Sequence, residues 1–217
     1  MINHQVHKYN ESETEYINRV YKTDNSIYIN ILLANFCMPT LFKLKPSTLV
    51  QIQKRHGSLK NMLNILMIDI KAYDCNYIIL YENHLMASVL IYHESILRTW
   101  LLRRENQKYL IGLGYNLDGD MLTRLFIALS IKLNCYNQNK LIEQFPHEIG
   151  IILGYPLEDV KEFVNSKGQN YIICGCWKVY HNVERSKKLF ELYHRIRVYS
   201  VKCVEEGKSL PTDWICK

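Results

Sequence analysis

"CNYIILYENHLMASVLIYH", residues Cys75–His93, is the stretch that decides the fold class. Two β-rich runs flank Glu82, Asn83 and His84, a pattern that predicts an antiparallel hairpin. Upstream, "SLKNMLNILMIDIKAYD" places Leu59, Met62, Leu63, Leu66 and Ile70 at helical spacing. Downstream, "ESILRTWLLRR" and "DGDMLTRLFIALSIKLNCY" read as amphipathic helices, the second opened by acidic residues suited to its positive end. The segment "PLEDVKEFVNSKG" predicts a short helix ended by Gly168, "NYIICGCWKVY" a strand, and "NVERSKKLFELYHRIRVYSVKCVEEG" a long helix. Strands scattered among many helices predict an α+β fold with a small sheet.

Nearer the N-terminus, "ESETEYINRVYK" carries a capping signal at Ser12 and Glu15. The stretch "NSIYINILLANFCMPTLFKLKPSTLVQIQK" is interrupted at Cys37–Pro39 and again at Pro46, and Ser47 is expected to cap a helix that pauses near Gly57. The 217 residues are expected to form one domain, with residues 1–12 flexible and 208–217 a C-terminal tail.

An apolar share of 48% beside 22% charged residues suits a chain that buries a core. No apolar run approaches the roughly 18 residues of a membrane helix, and the polar opening is neither a signal nor a transit peptide. A cytoplasmic protein without a membrane partner is therefore expected. The seven cysteines are odd in number and scattered, which favours thiols, and the C-x-C pair Cys174/Cys176 lacks a second pair for a metal site. Net charge is +6, but the basic residues are diluted. The densest stretches, "LRTWLLRRENQK" and "ERSKKLFELYHRIR", read as solvated helix faces rather than a nucleic-acid stripe.

Three positions carry candidate chemistry. Cys37, just ahead of a helix and near Lys43 and Lys45, would have its thiolate stabilised; its bland alternative is a buried cysteine acting as a small hydrophobe. His147, in "FPHEIGIILGYP" (Phe145–Pro156), would be held neutral at a helix N-terminus and usable as a base, or else serve as a capping histidine. Asp159 would orient the imidazole after the Gly154–Pro156 turn, or simply complement its helix dipole; Glu148 remains a second carboxylate to consider. A cysteine, histidine and acid in that order match papain-like chemistry, in which a thiolate attacks an acyl carbonyl.

The segments "FCMPTLFKLKPSTL", "FPHEIGIILGYPLEDVKEFV" and "GCWKVY" resemble an uncharacterised domain-of-unknown-function family of anaerobic Gram-positive bacteria, over about residues 30 to 200. Met38 stands where that pattern has alanine and Cys176 where it has tyrosine. The family is in turn similar to the papain-like amide synthetase of closthioamide-type polythioamide biosynthesis. The resemblance implies a papain-like fold and a cysteine-nucleophile acyltransferase, with Cys37, His147 and Asp159 catalytic and Lys45, Trp177 and Lys178 lining the site. It implies no cofactor or metal; the acyl group would arrive on the phosphopantetheine arm of an acyl or peptidyl carrier protein and leave on a small amine. The alternatives are a non-catalytic binding or regulatory protein and a cysteine hydrolase.

Overall fold

The computed structural model describes residues 24–54, 58–138 and 144–213. The capped helix expected from Ser12, the flexibility expected of residues 1–12 and the pause expected at Gly57 lie outside these residues. The central element is a three-stranded antiparallel sheet of β1 (Ser47–Gln53), β2 (Asn76–Glu82) and β3 (Met86–Tyr92), in the order β1-β3-β2. The hairpin forms where the sequence places it. Asn83 closes it, its Oδ1 accepting from Leu85 N at 2.8 Å and Met86 N at 2.9 Å, a side-chain turn that leaves few free donors at the tip.

β3 lies in the middle, and five of its seven residues are buried, as a strand covered on both faces requires. Ala87, Val89 and Ile91 join Val50 and Ile52 of β1 in one core, while Leu90 and Leu80 belong to a second core on the opposite face. A bulge between Ile79 and Tyr81 shifts the β2 register, so that Tyr81 follows Leu80 onto the face of that second core. Ser130 donates to the Leu80 carbonyl at 2.8 Å, satisfying a group the bulge exposes.

β1 is a correction to the sequence reading. Ser47 does not cap a helix; it begins a strand and its Oγ donates to Ile152 O at 2.7 Å. The reason is visible in "STLVQIQ": Thr48, Val50 and Ile52 alternate with Ser47, Leu49 and Gln51, and the β-branched set faces the first core. Pro46 ahead of Ser47 is compatible with either element, and the period of two distinguishes them.

On the first face lie α1 (Asn25–Leu32), a π-helical turn (Leu33–Cys37), α2 (Met38–Leu41), α3 (Leu59–Lys71) and α9 (Val183–Glu205). The widened turn precedes Pro39, which has no N–H to give Asn35 O and whose ring would crowd that carbonyl in a regular helix. Arg197 of α9 donates to Asn35 Oδ1 at 3.0 Å across this turn. On the second face lie α4 (Glu94–Leu101), α5 (Arg104–Gly112), α6 (Met121–Gln138), α7 (Ile149–Ile152) and α8 (Leu157–Asn165).

The expected strand "NYIICGCWKVY" is instead a tight hairpin of β4 (Ile173–Cys174) and β5 (Lys178–Val179). Gly175 permits it: a Cβ there would lie 2.3 Å from the Phe190 ring of α9. After α9 the described residues, which end at 213, are tied back onto the core: Leu210 is buried and Tyr73 Oη donates to Pro211 O at 3.0 Å.

Candidate functional site

Two turns meet at the end of β1. Gly154 has φ +84° and packs against Pro46, so close that a Cβ would lie 2.4 Å from the proline Cδ. This junction sets Tyr155 beside Lys45, whose Nζ is 5.7 Å from the ring centroid. Tyr155 stacks on Trp177 at 5.1 Å between ring centres, and Trp177 meets Phe190 edge-on at 4.6 Å. Asp159, at the start of α8, holds the indole in place. Its Oδ2 accepts from Trp177 Nε1 at 2.8 Å, and its Oδ1 accepts from the backbone N–H groups of Tyr180 and His181, both at 2.9 Å.

These residues wall one side of a cleft of about 760 Å³. Lys45, Pro46, Gly154 and Trp177 line it, and facing them are Ser95, Thr99 and Trp100 of α4, then Arg103 and Arg104. Arg185, Leu189 and Tyr193 of α9 complete the wall. Trp100 is anchored through Nε1, which donates to Ile151 O at 2.6 Å, and the Arg103 guanidinium lies 4.4 Å from its ring. Four cations, Lys45, Arg103, Arg104 and Arg185, stand against two carboxylates, Glu105 and Glu158. Among the described residues Arg104 and Arg185 have no ion-pair partner.

The expected site residues are distributed unevenly around this cleft. Lys45 and Trp177 line it, whereas Lys178 does not: its ammonium donates to Gly168 O at 2.6 Å and lies over the Tyr171 ring. Cys37 is 0% exposed and belongs to the first core. Burial pushes its thiol well above the usual range, outweighing the opposing field of Lys45. A thiolate stabilised ahead of a helix is therefore not what this conformation contains. Lys45 in turn is pushed down by burial, while the thiols of Cys176 and Cys37 act in the other sense.

His147 precedes α7, whose isoleucines pack into the second core, across the sheet from Cys37. Its ring meets Phe145 at 5.3 Å and Phe163 at 5.1 Å. Among the described residues it makes no hydrogen bond to Cys37 or Asp159. Glu148 does not orient it either, because its Oε1 accepts from Tyr115 Oη at 2.9 Å and from Lys132 Nζ at 2.7 Å. Burial lowers the His147 pKa from 6.5, with Glu148 opposing. The unfolded chain thus binds more protons than the folded one in the window below about 6.5, so this contribution to stability is present above it and is lost as pH falls. Thermal midpoints of wild type should drop more steeply than those of His147→Gln between pH 7.5 and 5.5; equal slopes would remove histidine burial as the cause.

Trp100, Arg103, Arg104, Arg185 and Tyr193 were not picked out from the sequence as site residues. The signal was present in the two basic stretches, which the periodicity assigned to solvated helix faces. What it could not show is that the two converge on one cleft. The six described cysteines are free thiols, and no group of His, Cys, Asp and Glu among the described residues could hold a metal. No helix among them is long and apolar enough to cross a membrane.

Fold and cleft together define an α+β protein, a three-stranded sheet and a small two-stranded hairpin among helices, with a basic, aromatic-walled pocket. Residues 33–212 match the model of a family described as proteins of unknown function, DUF3793, and the chain belongs to that family. Comparison with curated proteins and with solved structures yields no match.

Proposed function

We propose that the protein binds an anionic, phosphate-bearing ligand in this cleft, with the phosphopantetheine arm of a carrier protein as its occupant. The observation that carries this reading is the excess of cations over carboxylates around a pocket walled by Trp100, Trp177 and Tyr193. Guanidinium groups recognise phosphate through paired N–H donors, and indole faces cover the apolar part of a ligand. The overall charge of +6 favours approach by an acidic carrier.

Titration followed by tryptophan fluorescence tests the reading, with 4′-phosphopantetheine set against dephosphorylated pantetheine. The phosphorylated compound should bind at least about tenfold tighter, a difference of about 1.4 kcal/mol, and the advantage should shrink with salt. Arg104→Glu and Arg185→Glu should each cost about tenfold in affinity. Both arginines are exposed, so neither change threatens the core. Equal binding of the two compounds would sink the proposal.

A second reading is covalent, and what favours it is Lys45, which lines the cleft while its charge also falls on Cys37. Here Cys37 is the nucleophile, His147 the base and Asp159 the orienting acid of a papain-like acyltransferase. The acyl group passes from a phosphopantetheine thioester to a small amine, as in polythioamide assembly, or to water in a hydrolase. This mechanism needs a rearrangement that uncovers Cys37 and brings His147 to it. Exposure to an acyl thioester should then give one adduct, absent from Cys37→Ala; uniform labelling of several cysteines refutes the assignment.

A further inference from the structure

Behind Ser95 on the cleft wall lie an imidazole and a carboxylate, His93 and Asp74, that the readings above leave unused. His93 is 4% exposed and sits immediately before α4, its backbone N–H donating to Pro46 O at 3.0 Å. Its Nδ1 is 3.2 Å from Ser95 Oγ, and its Nε2 is 3.1 Å from Asp74 Oδ2. His93 Nε2 makes no hydrogen bond among the described residues, so the Asp74 side chain, 81% exposed, has to turn before it can accept from that nitrogen. With Nε2 protonated toward Asp74, Nδ1 is left to accept the Ser95 proton. Ser95 itself is exposed and lines the cleft.

The geometry points to Ser95 as a nucleophile that cleaves an ester or thioester carrying an anionic group, with His93 as the proton shuttle and Asp74 as a positioning residue. The anionic end of the substrate rests on the reading of the cleft given above, since Arg103 and Arg104 follow Ser95 along the same wall. In the first step Ser95 Oγ bonds the acyl carbon as its proton passes to His93 Nδ1. The bond to the leaving alkoxide or thiolate breaks, and the leaving group takes that proton. Water then adds to the acyl-serine, giving a proton to Nδ1 that Oγ recovers when the acid departs. No side chain caps the first turn of α4, and the first intrahelical donor is Leu97 N to His93 O. The N–H groups of Ser95 and Ile96 are therefore available to the oxyanion. Lys43, 3.9 Å from Asp74, is a further charge beside these residues.

Diisopropyl fluorophosphate tests this directly, because Oγ–P bond formation expels fluoride and leaves a stable mass increment. One adduct per chain should form and map to Ser95, and none should form on Ser95→Ala. His93→Gln should abolish labelling. Asp74→Asn, a side chain in solvent at φ 58° where asparagine is well tolerated, should fold normally. It should lower the maximal labelling rate about tenfold without changing the half-saturating probe concentration. No adduct, equal labelling of Ser95→Ala, or an unchanged rate in Asp74→Asn overturns the relay. Labelling of Ser95 without phosphopantetheine binding upholds the relay and overturns the anionic-ligand reading. Binding without labelling does the reverse.

Discussion

Gly154→Ala is expected to lower the thermal midpoint by about 6–12 °C, the equivalent of roughly 3 kcal/mol in a chain of this size. Two penalties add. The backbone at φ +84° is left-handed, which costs an L-residue about 1–2 kcal/mol. The new methyl would also stand 2.4 Å from Pro46 Cδ, a contact with a ring that cannot swing aside, and overpacking of this kind typically costs about 1–3 kcal/mol. Because Pro46 and Gly154 join the wall of the cleft, ligand affinity should fall with stability. A melt within about 2 °C of wild type would show that the junction yields, and that Tyr155 and Lys45 are not held by it.

Asp159→Ala is expected to be at least as costly, at about 3–5 kcal/mol. The carboxylate is 2% exposed and accepts three hydrogen bonds, so its removal strands the Trp177 indole N–H and two backbone donors. Trp177 should then lose its fixed orientation, which near-ultraviolet circular dichroism would report as a loss of tryptophan signal. Asp159→Asn separates this role from catalysis. If the carboxylate serves to anchor the indole, the amide, which presents one acceptor in place of two carboxylate oxygens, should destabilise measurably. If it serves mainly to orient His147, acyl transfer should collapse while the melt stays within about a degree.

The contrast between these two residues and Cys37 shows how the site was legible in part. Lys45 and Trp177 are named as lining residues only through the resemblance of their motif segments to a family, and both do line the cleft. Cys37 was equally conspicuous, yet its environment depends on what covers it. Burial sets the charge state of a thiol through desolvation, and desolvation is a property of neighbours that arrive from α3, α9 and the sheet. Ser95 and His93 lacked any motif. Their relay is completed by Asp74, which lies nineteen positions before His93 and reaches it only because β2 and β3 run antiparallel between them.

By itself the sequence determined the elements whose signal is local. These are the hairpin through Asn83, the helices with strict apolar spacing, the stop at Gly168 and the α+β class that follows from their mixture. It carried β1 as well, in the alternation of Thr48, Val50 and Ile52, although the proline ahead of Ser47 masked it. The tertiary structure alone decided which side chains share a space. Placing helices on both faces of one small sheet separates the Cys37 core from the His147 turn, and it draws two basic helix faces from distant segments onto one cleft. The periodicity of a helix specifies which face is polar, whereas a binding site depends on what that face is set against.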